Sequence, residues 1–205
     1  MTAASDFPLT YLITPGEAVS SDFSTSKTRI LNTIELAVAA GISMIQIRER
    51  FLTTRQLFEL SRAAVELTKA SATKLLVNDR LDIAIAAGAV GVHLPERGLP
   101  VAAVRYACPR PFVIGASVHS VEGAITAAAD GADFVLFGPV FDSGEKKGVG
   151  TDKLSEVTSA VNQIPVLAVG GIDASNVDAV IEAGAAGYAA IRYLNDHAVL
   201  EKLRY

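Results

Sequence analysis

Residues 74–94, KLLVNDRLDIAIAAGAVGVHL, contain two short apolar runs separated by a longer segment that ends in Gly88-Ala89. The runs from Lys74 to Asn78 and from Val90 to Leu94 have the length of buried strands. A glycine just after a helix can take the left-handed conformation that ends it, and a small neighbour lets the helix pack closely on the sheet. This stretch therefore predicts a β-α-β unit of a parallel sheet.

Similar units recur along the whole chain. Gly-Ala or Ala-Gly pairs precede four of the strands that we predict. The strands are Leu9 to Thr14, Ser43 to Arg48, Lys74 to Asn78, Val90 to Leu94, Phe112 to Ser117, Phe134 to Gly138, Pro165 to Val169 and Gly187 to Ile191. Eight units in 205 residues leave about 26 residues for each, which fits a compact barrel. We therefore predict an α/β fold, a single-domain (β/α)8 TIM barrel over residues 1–205.

An open doubly wound sheet is the alternative, but the first β-α turn lacks the glycine-rich dinucleotide fingerprint. Two connections are longer than packing requires, Pro15 to Lys27 and Pro139 to Asp152. In a barrel both would lie over the carboxyl ends of the strands, where active sites are built. We interpret the first as a surface insertion. The second carries Lys146 and Lys147 among three glycines, a composition that suits a mobile anion clamp.

Composition excludes several classes of function. Eighteen basic against 22 acidic residues give a net charge of −4, which predicts no binding to nucleic acid. The longest stretch without a charged residue, Ile83 to Pro95, is too short to span a membrane, and the first residues do not resemble a signal peptide. Cys108 has no partner for a disulfide. We expect a soluble, cytoplasmic protein, and the sequence leaves a homo-oligomer open.

Two late loops suggest a phosphate site. Gly170 and Gly171 follow the seventh strand, and Ile191 and Arg192 follow the eighth. Loops at these positions of a barrel commonly bind phosphate through backbone amides, and Arg192 could add a guanidinium. The competing interpretation is a tight turn that needs glycine only for its geometry.

The second strand supplies a candidate cation. Strand alternation puts Gln46 and Arg48 on one face; if that face is the barrel interior, the guanidinium of Arg48 reaches the mouth. The planar guanidinium of Arg48 suits a phosphate or carboxylate. An ion pair with Glu49 on the rim is the alternative.

The third and fifth strands end in groups that could take part in catalysis. Asn78 and Asp79 follow the third strand, where the carboxylate could hold Mg²⁺, act as a base or cap a helix. Ser117 and His119 lie at the end of the fifth strand, and His119 is the best candidate for a general acid or base. His93 lies mid-strand and is interpreted as a hydrogen-bonded interior residue.

Several of these motifs together resemble the thiamin phosphate synthase and TenI superfamily over nearly the whole chain. They are YLIT at residues 11–14, IQIRER at 45–50, VNDRLDIA at 77–84, GVHLP at 91–95, IGASVHS at 114–120, FGPVF at 137–141 followed by KKG, and IPVLAVGGI at 164–172. The resemblance implies a (β/α)8 barrel that binds a phosphorylated thiazole at its mouth.

The resemblance implies one of two activities. A synthase joins a pyrimidine methyl diphosphate to thiazole phosphate and needs Mg²⁺, held in the family pattern by two carboxylates. Asp79 matches the first of these, but Gly98 stands at the second, next to Arg97, with Glu96 as a displaced substitute. Fewer carboxylates weaken a Mg²⁺ site.

The departures from the synthase pattern resemble the TenI-like thiazole tautomerases, which aromatise a carboxythiazole phosphate and need no cofactor. We expect this activity first, with His119 moving the proton while Arg48 and Lys146 bind anions and Gln46, Asn78 and Ser117 line the substrate site. The synthase is the first alternative, with Asp79 as metal ligand. A catalytically inert barrel that senses a phosphorylated metabolite is the second.

Overall fold

The fold is a closed barrel of parallel strands surrounded by helices, as predicted. A computed structural model describes residues 8–203. The strands are β1 (Leu9–Ile13), β2 (Met44–Ile47), β3 (Lys74–Asn78), β4 (Gly91–Leu94), β5 (Val113–Val118), β6 (Phe134–Phe137), β7 (Val166–Val169) and β8 (Gly187–Ala190). Each pairs in parallel with the next, and β8 pairs with β1, so this single sheet has no free edge. The alternative of an open doubly wound sheet is therefore wrong.

One or more helices follow each strand. They are α1 (Phe23–Ala39), α2 (Thr54–Thr68), α3 (Leu81–Ala87), α4 (Val101–Ala107), α5 (Val121–Ala129), α6 (Thr151–Ala160), α7 (Val177–Glu182), α8 (Arg192–Asn195) and α9 (His197–Lys202). Gly88 ends α3 with φ +77° and donates its amide to the carbonyls of Ala84 and Ile85, as the Gly-Ala pattern predicts.

The strand ends differ from the prediction by no more than one residue. The first long connection differs more. A short 3-10 helix (Ser20–Asp22) and the first turn of α1 occupy part of the segment from Pro15 to Lys27. Small polar residues concealed this helix start, because Ser and Thr are neutral in a helix and common in loops.

Strand alternation divides the core into two layers. Side chains such as Leu12, Ile45 and Val77 point outward and pack under the helices. Tyr11, Leu76, Phe134, Leu136 and Leu167 belong to the second cluster, which fills the barrel interior. A cavity of about 630 Å³ opens at the amino ends of the strands, lined in part by their first residues. The polar groups predicted from the sequence lie at the carboxyl ends, which we call the mouth.

Candidate active site

Gln46 points into the barrel interior, and Arg48 follows it at the mouth. Gln46 is buried, and its side-chain nitrogen donates to the hydroxyl of Tyr11 at 3.0 Å. Arg48 lies just beyond β2, where its amide donates to the hydroxyl of Thr14 at 2.8 Å. Burial and the nearby charge of Arg50 lower the pKa of Arg48. Among residues 8–203 no carboxylate forms an ion pair with Arg48, so its guanidinium is available for an anionic ligand.

Glu49 does not form the rim ion pair with Arg48 that we considered. It is 3% exposed, and its carboxylate accepts hydrogen bonds from the amides of Gly16 at 3.1 Å and Ala18 at 2.9 Å. These bonds hold the β1–α1 loop against the end of β2. Gly16 packs on Arg48, because a Cβ at Gly16 would lie 3.1 Å from a guanidinium nitrogen of Arg48. Glu49 therefore shapes the mouth, a role that the sequence analysis did not predict.

His93 is the hydrogen-bonded interior residue that the sequence predicts. Its Nε2 lies 2.8 Å from Oγ of Ser117, and the residue is 2% exposed. Burial, and secondarily the positive charge of Arg48, lower its pKa to about 3. The ring is therefore neutral at physiological pH. The hydrogen bond brings the ends of β4 and β5 together at the inner wall of the mouth.

His119 lies just past β5 and is exposed. Its Nδ1 is hydrogen-bonded to the carbonyl oxygen of Gly138 beyond β6. A carbonyl can only accept, so Nδ1 carries the proton and Nε2 is the nitrogen available to a ligand. This bond orients the ring, and its predicted catalytic role stays a prediction.

Unpaired amides surround a cavity of about 400 Å³ between the ends of β7 and β8. The amides of Gly170, Gly171 and Ile191 find no hydrogen-bond acceptor within residues 8–203. Arg192, which is exposed, and Ser143 also line this cavity. Several unpaired amides around one cavity form the kind of arrangement that binds phosphate.

The two glycines also have a packing requirement. Gly170 has φ +99°, and a Cβ there would lie 2.5 Å from the Cα of Pro139. Gly171 has φ +63°, and a Cβ there would lie 2.5 Å from the carbonyl oxygen of Asp142. Close contact with the β6–α6 loop alone thus accounts for glycine at both positions. The unpaired amides are the feature that points to a ligand.

The β6–α6 loop is held by Asp142. Its carboxylate accepts from Nζ of Lys147 and from the amide of Gly148, at 2.7 and 2.8 Å, and these bonds lower its pKa. Lys146 is exposed, and no ion pair involves it within the described residues. Of the two neighbouring lysines, Lys146 is therefore the one available to an anion.

Asp79 and Asn78 lie at the end of β3. The backbone of Asp79 has φ +63°, and its amide donates to the carbonyl of His93 at 2.8 Å. Asp79 is exposed, and no hydrogen bond to its carboxylate forms within residues 8–203. With Asn78, Glu49 and Arg50 it lines a cavity of about 330 Å³.

The place of the second family carboxylate is directly beside Asp79. A Cβ at Gly98 would lie 3.0 Å from Oδ1 of Asp79. Because residue 98 is glycine, Asp79 has no second carboxylate beside it at this position. Glu96, the displaced substitute, is exposed. No group of three metal-ligating side chains occurs in the described part of the chain. Mg²⁺ is often held by one or two carboxylates completed by substrate phosphates. Asp79 fits that mode as a carboxylate ligand.

Comparison with known proteins identifies the family. Residues 10–194 match the family described as thiamine monophosphate synthase. The chain belongs to the thiamine monophosphate synthase family. The thiamine-phosphate synthase of Methanoculleus marisnigri is 48% identical over 160 residues, covering 76% of this chain and 75% of that protein. The putative thiamine-phosphate synthase of Geobacter sulfurreducens is 45% identical over 166 residues, covering 79% and 78%.

A solved structure agrees with this assignment. The thiamine phosphate pyrophosphorylase of Pyrococcus furiosus superposes with a TM-score of 0.82 at 29% identity, covering 96% of this chain and 92% of that one. The prediction of an isomerase closer to the TenI-like tautomerases is wrong, because the relatives of this family member are named as synthases. The departures at Arg97, Gly98 and the KKG segment therefore do not separate this chain from relatives that carry the synthase name.

Among the described residues, no helix combines the length and apolar character that crossing a bilayer requires.

Proposed function

We propose that the chain is a thiamine-phosphate synthase, a transferase that joins a pyrimidine methyl diphosphate to a thiazole phosphate. One observation carries the proposal beyond the family assignment. Two places suited to anions lie at the same mouth: the unpaired amides of Gly170, Gly171 and Ile191, and the guanidinium of Arg48, which has no ion-pair partner among residues 8–203. A reaction between a monophosphate and a diphosphate needs two such places.

In this proposal the amides of Gly170, Gly171 and Ile191 bind the phosphate of the thiazole. Arg48 and Lys146 bind the diphosphate, and Arg192 adds positive charge beside the thiazole phosphate. The bond from the pyrimidine methyl carbon to the diphosphate oxygen breaks, and its electron pair leaves with the pyrophosphate. The thiazole nitrogen then donates its lone pair to the carbocation-like methyl carbon, so that the new C–N bond places the positive charge on the thiazolium ring.

The residues of the chain chiefly bind and orient, since no proton has to leave a carbon atom in this reaction. Asn78 and Ser117 are half-buried at the mouth, where they can position the pyrimidine between the two anion sites, whereas Gln46 is buried and its side-chain nitrogen is bound to Tyr11. Bringing two reactants into line accounts for a large part of the rate in such reactions. When bound through Asp79, Mg²⁺ would offset part of the charge on the diphosphate.

The proposal is tested by incubating the purified chain with both substrates and measuring thiamin phosphate with Mg²⁺ and with EDTA. We expect product only with Mg²⁺. Asp79→Asn should lower the rate at least roughly tenfold and raise the Mg²⁺ concentration needed, because it removes a ligand charge. Glu35→Gln is the matched control, since it makes the same charge change on an exposed side chain of α1.

Two results would contradict the proposal. Ligand binding without product, with Mg²⁺ present, would favour the catalytically inert barrel. Equal rates for Asp79→Asn and Glu35→Gln would show that Asp79 does not bind the metal.

A further inference from the structure

One nitrogen of His93 is paired and the other is not. Nε2 lies 2.8 Å from Oγ of Ser117, whereas Nδ1 is buried and has no hydrogen-bond partner within residues 8–203. The surroundings of Nδ1 are apolar. A Cβ at Gly115 would lie 2.8 Å from it, and the rings of Tyr11 and Phe134 pack on the imidazole with centroids 5.8 and 5.9 Å away.

These surroundings decide which nitrogen carries the proton. A neutral imidazole has one N–H and one lone pair. If Nδ1 held the proton, a buried N–H would have no acceptor, which is the rarer and less favourable kind of unpaired group. With the proton on Nε2, the bare lone pair faces the apolar wall and Nε2 donates to Ser117. A protonated ring would also donate from Nε2, so the direction of this bond does not depend on the charge of the ring.

The direction of the bond fixes what Ser117 can do. Its oxygen accepts from His93, so its own proton must point elsewhere, and no acceptor for it exists among the described residues. Ser117 is half-buried near the end of β5, on the strand face that lines the mouth. A serine beside a histidine suggests a nucleophile and its base, but here the histidine cannot receive the serine proton at the nitrogen that touches it.

We infer that His93 is a positioning residue that sets the hydroxyl of Ser117 as a hydrogen-bond donor to an acceptor atom of the bound ligand. The consequence for catalysis rests on the proposed function, in which that acceptor is either a diphosphate oxygen or a pyrimidine ring nitrogen. The tautomer itself does not depend on the reaction.

The tautomer is measured directly by long-range ¹H–¹⁵N NMR of the full chain labelled with [¹⁵N]histidine, without ligand. The chain has 3 histidines, so three sets of imidazole signals are expected. The set that is missing from the spectrum of His93→Gln belongs to His93. We expect a protonated Nε2 and a bare Nδ1 for His93. A bare Nε2 with a protonated Nδ1 would overturn the inference, because Ser117 would then donate to His93.

The effect on the ligand is tested with Ser117→Ala, His93→Leu and the double variant. Ser117→Ala should weaken binding of its ligand roughly tenfold, the loss expected for one hydrogen bond. The two probes are inorganic pyrophosphate and the pyrimidine alcohol that lacks the diphosphate. Weaker binding of pyrophosphate would identify a diphosphate oxygen as the acceptor, and weaker binding of the alcohol would identify a pyrimidine ring nitrogen. Unchanged binding of both would overturn the donor role.

In the coupling reaction, His93→Leu and Ser117→Ala should each lower kcat, and the double variant should lose no more than Ser117→Ala alone. His93→Gln should recover part of the loss, since its amide can still donate. Additive losses would mean that His93 acts only through packing. If coupling fails for every form but the tautomer and the probe binding are as expected, the proposed function is wrong and the inference about His93 stands.

Discussion

Asp79 has a left-handed backbone, with φ +63°, at the mouth of the barrel. Aspartate tolerates this conformation better than most residues, but it still costs free energy that the surrounding structure must supply. The bond from its amide to the carbonyl of His93 provides part of that support. Oδ1 of this exposed carboxylate lies beside Gly98. Asp79, His93 and Ser117 are thus linked through two hydrogen bonds.

His119 is the residue whose role a single substitution tests best. With Nδ1–H bound to the carbonyl of Gly138, Nε2 is the nitrogen available to a ligand, and the predicted role of general acid or base would use it. We expect His119→Ala to lower the rate of coupling roughly 10²-fold, the lower end of what general acid–base catalysis contributes. His197→Ala is the control, since His197 is exposed on α9 and bonds to Thr33. Equal rates for the two variants would show that His119 takes no part in the chemical step.

At the scale of elements, the β1–α1 and β2–α2 loops form one unit at the mouth. Glu49 accepts hydrogen bonds from two amides of the first loop, and the hydroxyl of Ser20 donates a hydrogen bond to the carbonyl of Phe51 at 3.0 Å. Gln56, which also completes the capping box of α2, donates to the carbonyl of Ser20. The first loop is therefore part of the wall beside Arg48, and the interpretation of it as a tolerated insertion underestimates its role.

Glu49→Ala tests the connection between these loops. We expect it to lower the free energy of unfolding by about 3 kcal/mol, because the buried amide of Ala18 and the half-buried amide of Gly16 lose a charged acceptor. It should also raise KM, since Arg48 loses the packing of Gly16. Glu59→Ala breaks an exposed ion pair with Lys27 and should cost less than about 1 kcal/mol. Urea unfolding measures both variants, and equal losses would show that the buried carboxylate contributes no more than a surface ion pair.

At the scale of the whole molecule, closure of the sheet brings together groups that are far apart in the chain. Arg48, Asn78, His93 and Ser117 come from four successive strands and line one side of the mouth. The phosphate cavity lies between β7 and β8. The same closure buries His93 completely, so the stability of the barrel is linked to the protonation of one interior ring.

This linkage predicts how stability depends on pH. The pKa of His93 falls from 6.5 to about 3 on folding, so between these values the unfolded chain binds a proton that the barrel does not. Stability is therefore retained above pH 6.5 and is lost as the pH falls toward 3, at about 1.4 kcal/mol for each pH unit. Between pH 7.5 and pH 5, protonation of His93 in the unfolded chain should lower the free energy of unfolding of the wild type by about 2 kcal/mol. His93→Gln should not show this loss. Urea unfolding at several pH values measures this, and parallel curves would contradict it.

The order of amino acids predicted the number, type and ends of the strands, because each β-α unit is encoded locally by apolar periodicity and by the glycines that end helices. It also predicted that Gln46 and Arg48 share one face of their strand, since alternation along a strand is local as well. The helix start at Phe23 was missed, because small polar residues carry little helical signal.

Contacts between distant residues depend on how the barrel closes. Only the tertiary structure shows Glu49 holding Gly16 and Ala18, and Gly98 beside Asp79. The direction of the bond between His93 and Ser117 depends on the apolar wall around Nδ1, which three other strands provide. No segment of the chain contains such a wall by itself, so these features appear only when the strands meet.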